Sequence, residues 1–209
     1  MARAIRDCLK FVMFLLLCAS VSLVHAVAVP LEDRGNTTYD PNSGLEWLDL
    51  TLTDGQSPNA VLGGFGGNVT VDGFRIATRA EVFQLFLDGG ITAIDATPRA
   101  TDYTAAQILV GLLGATFAGS QPASQGWSIS SSAFYAEPFV QFDPGTLTGR
   151  AYPGAGGFNE FSAFNDVGVF LVREASVPEP GSLALVGLGL AALFARLRKH
   201  AADAGISHA

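Results

Sequence analysis

The sequence predicts an α+β fold: a single compact domain of mixed and antiparallel strands with two short helices, flanked by a signal peptide and a C-terminal membrane helix. Three observations predict it. Short apolar segments bounded by turn residues lie on either side of two stretches with helical spacing, so the order runs strands, helices, strands. Apolar runs flanked by basic residues stand at both ends. No repeat of solenoid period separates them, and 209 residues leave room for one ordinary domain between two targeting segments.

At the N-terminus, Arg3, Arg6 and Lys10 precede an apolar run from Phe11 to Val24, and Ala26-Val27-Ala28 offers the small-x-small pattern that signal peptidase reads. Residues 1–28 are therefore expected to be a signal peptide cut after Ala28, or else after Ala26. The run is shorter than the roughly 20 residues of an uncleaved anchor. Cys18 follows Leu15-Leu16-Leu17, which lack the small residues of a lipidation site.

The exported domain, residues 29–175, holds sixteen acidic side chains and six arginines, a net charge of −10 against −7 for the whole chain. Such a surface repels phosphate backbones, so no nucleic acid is expected as partner. Cys8, Cys18, His25, His200, His208 and every lysine fall outside this span. That composition removes Ser-His-Asp and Cys-His nucleophiles, Schiff-base lysines, disulfides and the usual transition-metal ligand sets. No catalytic residue, metal ligand or cofactor is expected.

Along the domain, Asp40-Pro41-Asn42-Ser43-Gly44 is a turn between strands at Thr37-Thr38-Tyr39 and Leu45-Glu46-Trp47-Leu48. Residues 54–73 read as a loop rich in Gly, Asn and Pro. Thr78 with Glu81 forms a capping box ahead of Val82, Leu85 and Phe86, and Gly89-Gly90 ends that helix. A second helix is expected over Thr104–Leu113, with Ala105, Ile108, Leu109, Leu112 and Leu113 as its apolar face. Strand character follows, with a turn at Asp143-Pro144-Gly145 and a buried final strand from Val167 to Val172.

At the C-terminus, Pro178-Glu179-Pro180 precede an apolar run from Leu183 to Ala195 and then Arg196, Arg198 and Lys199. A polar motif, a helix over 182–195 and a basic stop leave residues 201–209 as a cytoplasmic tail. The arrangement over residues 176–200 resembles the PEP-CTERM sorting signal. The resemblance implies export across the inner membrane of a Gram-negative bacterium and recognition by an exosortase near Pro178, Glu179 and Pro180. The protein is then released or re-anchored at the surface or in an extracellular, exopolysaccharide-rich matrix. A plain, unprocessed membrane anchor is the alternative. Partners expected on this reading are signal peptidase, the exosortase and the membrane.

A second resemblance spans residues 39–173. Gly44-Leu45-Glu46-Trp47, Gly73-Phe74-Arg75-Ile76-Ala77-Thr78, Trp127-Ser128 and Val172-Arg173 are similar, in order, to a bacterial surface domain of the Lcl C-terminal type, whose architecture is C-type-lectin-like. Phe74 and Ala77 stand where that family has Trp and Pro.

Five constellations invite chemistry. Asp40, Asn42, Gly44 and Glu46 alternate as the first ligands of a calcium loop do, but Thr51 occupies the position where an EF-hand carries Glu. An Asx-type turn explains them more simply, with calcium at Asp40 and Asn42 as the alternative. Glu137 and Glu160 lie in the strand-rich half, where a glycosidase pair would need a defined separation. Glu81 is expected to serve in the capping box and Arg75 to be a buried or half-buried ion-pair partner. Trp47 and Trp127 could face a sugar ligand, although strand positions beside other aromatics suit a core. The glycine stretches Gly63-Gly64-Phe65-Gly66-Gly67 and Gly154-Ala155-Gly156-Gly157 lead into no phosphate-binding helix and read as mobile loops and ligand rims. The expectation is a non-enzymatic envelope or matrix protein that binds polysaccharide, against a carboxylate-dependent glycoside hydrolase or a passive structural component.

Overall fold

The computed structural model describes residues 30–131 and 134–176. The expected signal peptide and the expected membrane helix lie outside the described residues. Among the described residues no helix is long and apolar enough to cross a membrane.

Two sheets make up the domain, with strands numbered in chain order. The first has the order β1 (Glu32–Asp33), β2 (Thr37–Asp40), β3 (Leu45–Leu48), β11 (Leu171–Glu174) and β4 (Arg75–Ile76), all antiparallel. The turn read between β2 and β3 is present: Asp40 faces Leu45, and Gly44 N–H donates to the Asp40 carbonyl at 2.8 Å with φ at 72°. That positive φ suits glycine there.

The second sheet is built on β5 (Ala123–Ser131). Its neighbours β6 (Phe134–Ala136) and β7 (Phe139–Asp143) pair with successive parts of β5, then β9 (Gly156–Phe158) pairs with β6 and β8 (Thr148–Tyr152) with β7. The result is a three-stranded meander interrupted once along its length. The interruption falls at Pro138 and Pro153, which offer no N–H to a ladder. Gly154 turns the chain there with φ at 82°, and a Cβ on it would lie 2.4 Å from the Glu137 carbonyl carbon. Part of the second glycine stretch is thus the strand β9 and not a loop, because the Phe158 register with Tyr135 extends the pairing to Gly156.

The expected final strand is two strands in line. Its first part, β10 (Gly168–Val169), runs parallel to β5, and β11 then crosses into the first sheet between β3 and β4. At the crossing, Phe170 N–H donates to the Trp127 carbonyl at 3.0 Å and Ala77 N–H to the Phe170 carbonyl at 2.8 Å. Both faces of this strand are buried, as its unbroken apolar run requires. Phe170 and Val172 enter one core with Trp47, Leu85, Phe86, Leu109 and Val140. Val169 and Leu171 enter a second with Leu48, Val61, Phe74, Ile76 and Trp127.

Among the described residues there are three α-helices, where two are expected for the domain. The extra one, α1 (Pro58–Leu62), lies in the segment read as loop; Ser57 caps it by accepting from Ala60 N–H at 3.2 Å, and Pro58 opens it. One helical turn and a half among glycines is too short to show a period. The capping box of α2 (Arg79–Asp88) is complete, with Thr78 Oγ1 accepting from Glu81 N–H at 3.3 Å and Glu81 Oε2 from Thr78 N–H at 2.8 Å. The third helix, α3 (Tyr103–Leu113), buries Ala106, Leu109, Val110 and Leu113 and leaves Ile108 51% exposed, so its buried face is rotated from the expected one. The helix is apolar on several sides, and packing against β7 and β8 selects the face.

Candidate functional site

Pro178, Glu179, Pro180, Arg196, Arg198 and Lys199, like Ala26 and Ala28, lie outside the described residues. The remaining candidates are all placed. Trp47 and Trp127 are 1% and 0% exposed, so neither ring offers a face to a sugar, which corrects the ligand-facing alternative. Strand alternation sends each ring inward: Trp47 packs edge-on to Phe170 at 6.4 Å, and Trp127 lies between Phe158 at 5.0 Å and Phe164 at 5.4 Å.

Asp40 is used by its own turn. Its Oδ1 accepts from Asn42 N–H at 2.9 Å and Asn42 Nδ2 at 3.3 Å, and its Oδ2 accepts from Ser43 Oγ at 2.5 Å. Glu46 points away from that loop to Arg173 Nε at 2.8 Å and Thr37 Oγ1 at 2.8 Å. Among the described residues no group of three or more His, Cys, Asp or Glu is placed to hold a metal ion.

Glu137 accepts a hydrogen bond from Gln125 Nε2, and burial pushes its carboxyl above the usual range. Glu160 is exposed on the loop after β9, with its backbone carbonyl accepting from Asn59 N–H at 2.8 Å. Arg75 grips Glu81 as a fork, with donor distances of 2.9 and 2.6 Å. The Arg75 guanidinium holds the Glu81 carboxyl down to about 2, helped by the Thr78 hydrogen bonds. Contrary to the expected burial, Arg75 is exposed, because β4 is a sheet edge.

Asp49 combines an unpartnered buried oxygen with a strongly raised carboxyl. Its Oδ1 is buried with no partner among the described residues, and burial, reinforced by Asp33, pushes its carboxyl up to about 6. A carboxyl whose folded value is raised from 3.8 opposes folding once pH exceeds both values and has no effect below them. Asp49→Asn is therefore expected to stabilise the domain by about 1–3 kcal/mol at pH 7.5 and to change nothing at pH 3. Thermal unfolding at the two pH values checks it, and an equal gain at both would show that the charge is not the cause.

Two solvent-facing features were not apparent in the sequence. On the loops at one end, Phe161, Phe164 and Phe65 are 67%, 46% and 43% exposed. On the β7–β8 ribbon, a cleft of about 410 Å³ is lined by Pro98, Gln121, Gln141, Asp143, Thr148 and Arg150, among others. Its polar groups hold one another: Gln121 Nε2 donates to Asp143 Oδ2 at 2.7 Å, Gln141 Nε2 to the Gln121 carbonyl at 3.1 Å, and Arg150 Nε and Nη2 to Gln141 Oε1 at 2.9 and 2.6 Å. Strand alternation was the available signal, since Gln141, Asp143, Thr148 and Arg150 share one face while Val140, Gly149 and Ala151 are buried on the other.

The comparisons with known proteins address the segment that follows β11. The model for the PEP-CTERM protein-sorting motif matches residues 176–199. The chain carries a PEP-CTERM sorting signal. No curated protein and no solved structure matches the chain.

A PEP-CTERM signal implies export, a membrane-associated C-terminal sorting tail and processing by an exosortase before surface display. The matched segment starts two residues after Glu174, the end of β11, the strand on which both cores rest. Three other strands meet the last segment of the domain: β3 and β4 flank β11, and β5 pairs with β10.

Proposed function

We propose that the domain ahead of the PEP-CTERM signal is a non-enzymatic module that binds polysaccharide in the cell-surface matrix of a Gram-negative bacterium. The observation that carries it is the β7–β8 cleft. Fixed amide, guanidinium and carboxylate groups in a concave, half-exposed setting suit a ligand rich in hydroxyls, each of which donates and accepts. The Lcl-like resemblance supports the same reading, since it implies a lectin-like domain. The hydrolase alternative is weakened by the placement of its candidates, with Glu137 bonded to Gln125 and Glu160 on an exposed loop. A passive matrix component remains the rival reading, and one experiment separates them. In native affinity electrophoresis, protein recovered from the host surface is expected to be retarded by polysaccharide extracted from the same cells. Unchanged mobility across the full range of polysaccharide concentration would leave the structural role.

A further inference from the structure

We infer that the outer face of β7 and β8, with Gln121 beside it, is a binding site for an uncharged, hexose-based glycan chain, with Gln121, Gln141, Asp143 and Arg150 as the residues that select it. The inference rests on the polysaccharide-binding reading above and names the ligand class and the face.

Cross-strand register builds the face. Phe139 lies opposite Tyr152, Gln141 opposite Arg150 and Asp143 opposite Thr148. Three rows therefore run along the ribbon, with an aromatic pair at one end and an acid at the other. The rings of Phe139 and Tyr152 are 5.1 Å apart and tilted by 35°, and the Arg150 guanidinium lies 5.7 Å from the Phe139 centroid. From residue 139 to 143 a strand advances about 13 Å, so the face is longer than one sugar ring. Apolar ring faces beside planar hydrogen-bonding groups match the two sides of a pyranose, one rich in C–H and one in hydroxyls.

Two features favour an uncharged chain. First, among the described residues that line the cleft Arg150 is the one basic side chain, and two of its donors are already directed to Gln141 Oε1. Second, Asp143 is locked as an acceptor by Gly145 N–H at 2.8 Å, Thr146 N–H at 3.3 Å and Gln121 Nε2 at 2.7 Å, which hold its carboxyl below the usual range. A uronate or phosphate group would meet that carboxylate on a domain whose net charge is −10. A neutral hydroxyl would donate to it and accept from the amides. The relay from Asp143 through Gln121 and Gln141 to Arg150 fixes these groups before a ligand arrives, which limits the ordering entropy of binding.

The test is titration calorimetry on protein recovered from the host, with hexaoses of glucose, mannose and galactose as neutral probes and a mannuronate hexamer as the charged one. At least one neutral hexaose is expected to bind, and the mannuronate hexamer at least about tenfold more weakly. Gln121→Ala and Gln141→Ala are each expected to weaken the neutral ligand about tenfold. Phe161→Ala, which does not line the cleft, is expected to leave it unchanged, and thermal unfolding confirms that the variants are folded. Equal or tighter binding of mannuronate overturns the charge selection. Undiminished binding by both glutamine variants overturns the face. If no hexaose binds while host polysaccharide still retards the protein, the present inference fails and the broader reading stands; if neither binds, both fail.

Discussion

Trp127→Ala is expected to lower the unfolding free energy by about 3–5 kcal/mol, the range for deleting a fully buried tryptophan. The ring is 0% exposed and clusters with Phe158 and Phe164, whose planes are inclined to it by 65° and 46°. The surrounding second core is built from Leu48, Val61, Phe74, Ile76, Val169 and Leu171, all of them buried. The backbone at 127 also receives Phe170 N–H, where the last strand passes from one sheet to the other. The loss should therefore spread to both sheets. Urea denaturation followed by circular dichroism is expected to show a lower midpoint with an unchanged slope. A loss under about 1 kcal/mol would mean that this core is not packed as described.

Replacing Pro178, Glu179 and Pro180 by alanines is expected to abolish processing of the C-terminal tail. Protein recovered from the surface or medium of the native host should lack about 30 C-terminal residues, whereas the variant should keep them and remain with the membrane fraction. Intact mass measurement reads both. The matched motif begins two residues beyond the last strand of the folded domain, and no residue of either core is substituted, so the expected effect is on sorting. A tail retained in wild type would sink exosortase processing and leave a simple anchored protein.

What could be read in advance depended on the range of the interactions involved. The capping box at Thr78 and Glu81, the Asp40–Gly44 turn and the Asp143-Pro144-Gly145 turn were legible because each is closed within five residues. The short helix α1 was missed since Ser57 and Pro58 signal a start that only one and a half turns follow. The buried face of α3 was misjudged because an almost uniformly apolar helix carries no preference of its own. That Arg75 joins an ion pair was legible, but its partner, Glu81, and its exposure were set by the place of β4 at the sheet edge. The cleft could not be foreseen, because Gln121, Gln141 and Arg150 become neighbours only through the registers of β5, β7 and β8.

The sequence by itself determined the address of this protein, its α+β order and the absence of Cys, His and Lys between residues 29 and 175. Targeting segments are read as linear patterns by other proteins and need no fold, and residue types exclude chemistry wherever they lie. Only the tertiary structure decided that both tryptophans are core, that one strand joins two sheets, and which polar side chains meet on an open face. Those outcomes depend on pairing between segments far apart in the chain, where side-chain alternation states that a residue faces one of two sides and the partner strands decide which side is buried.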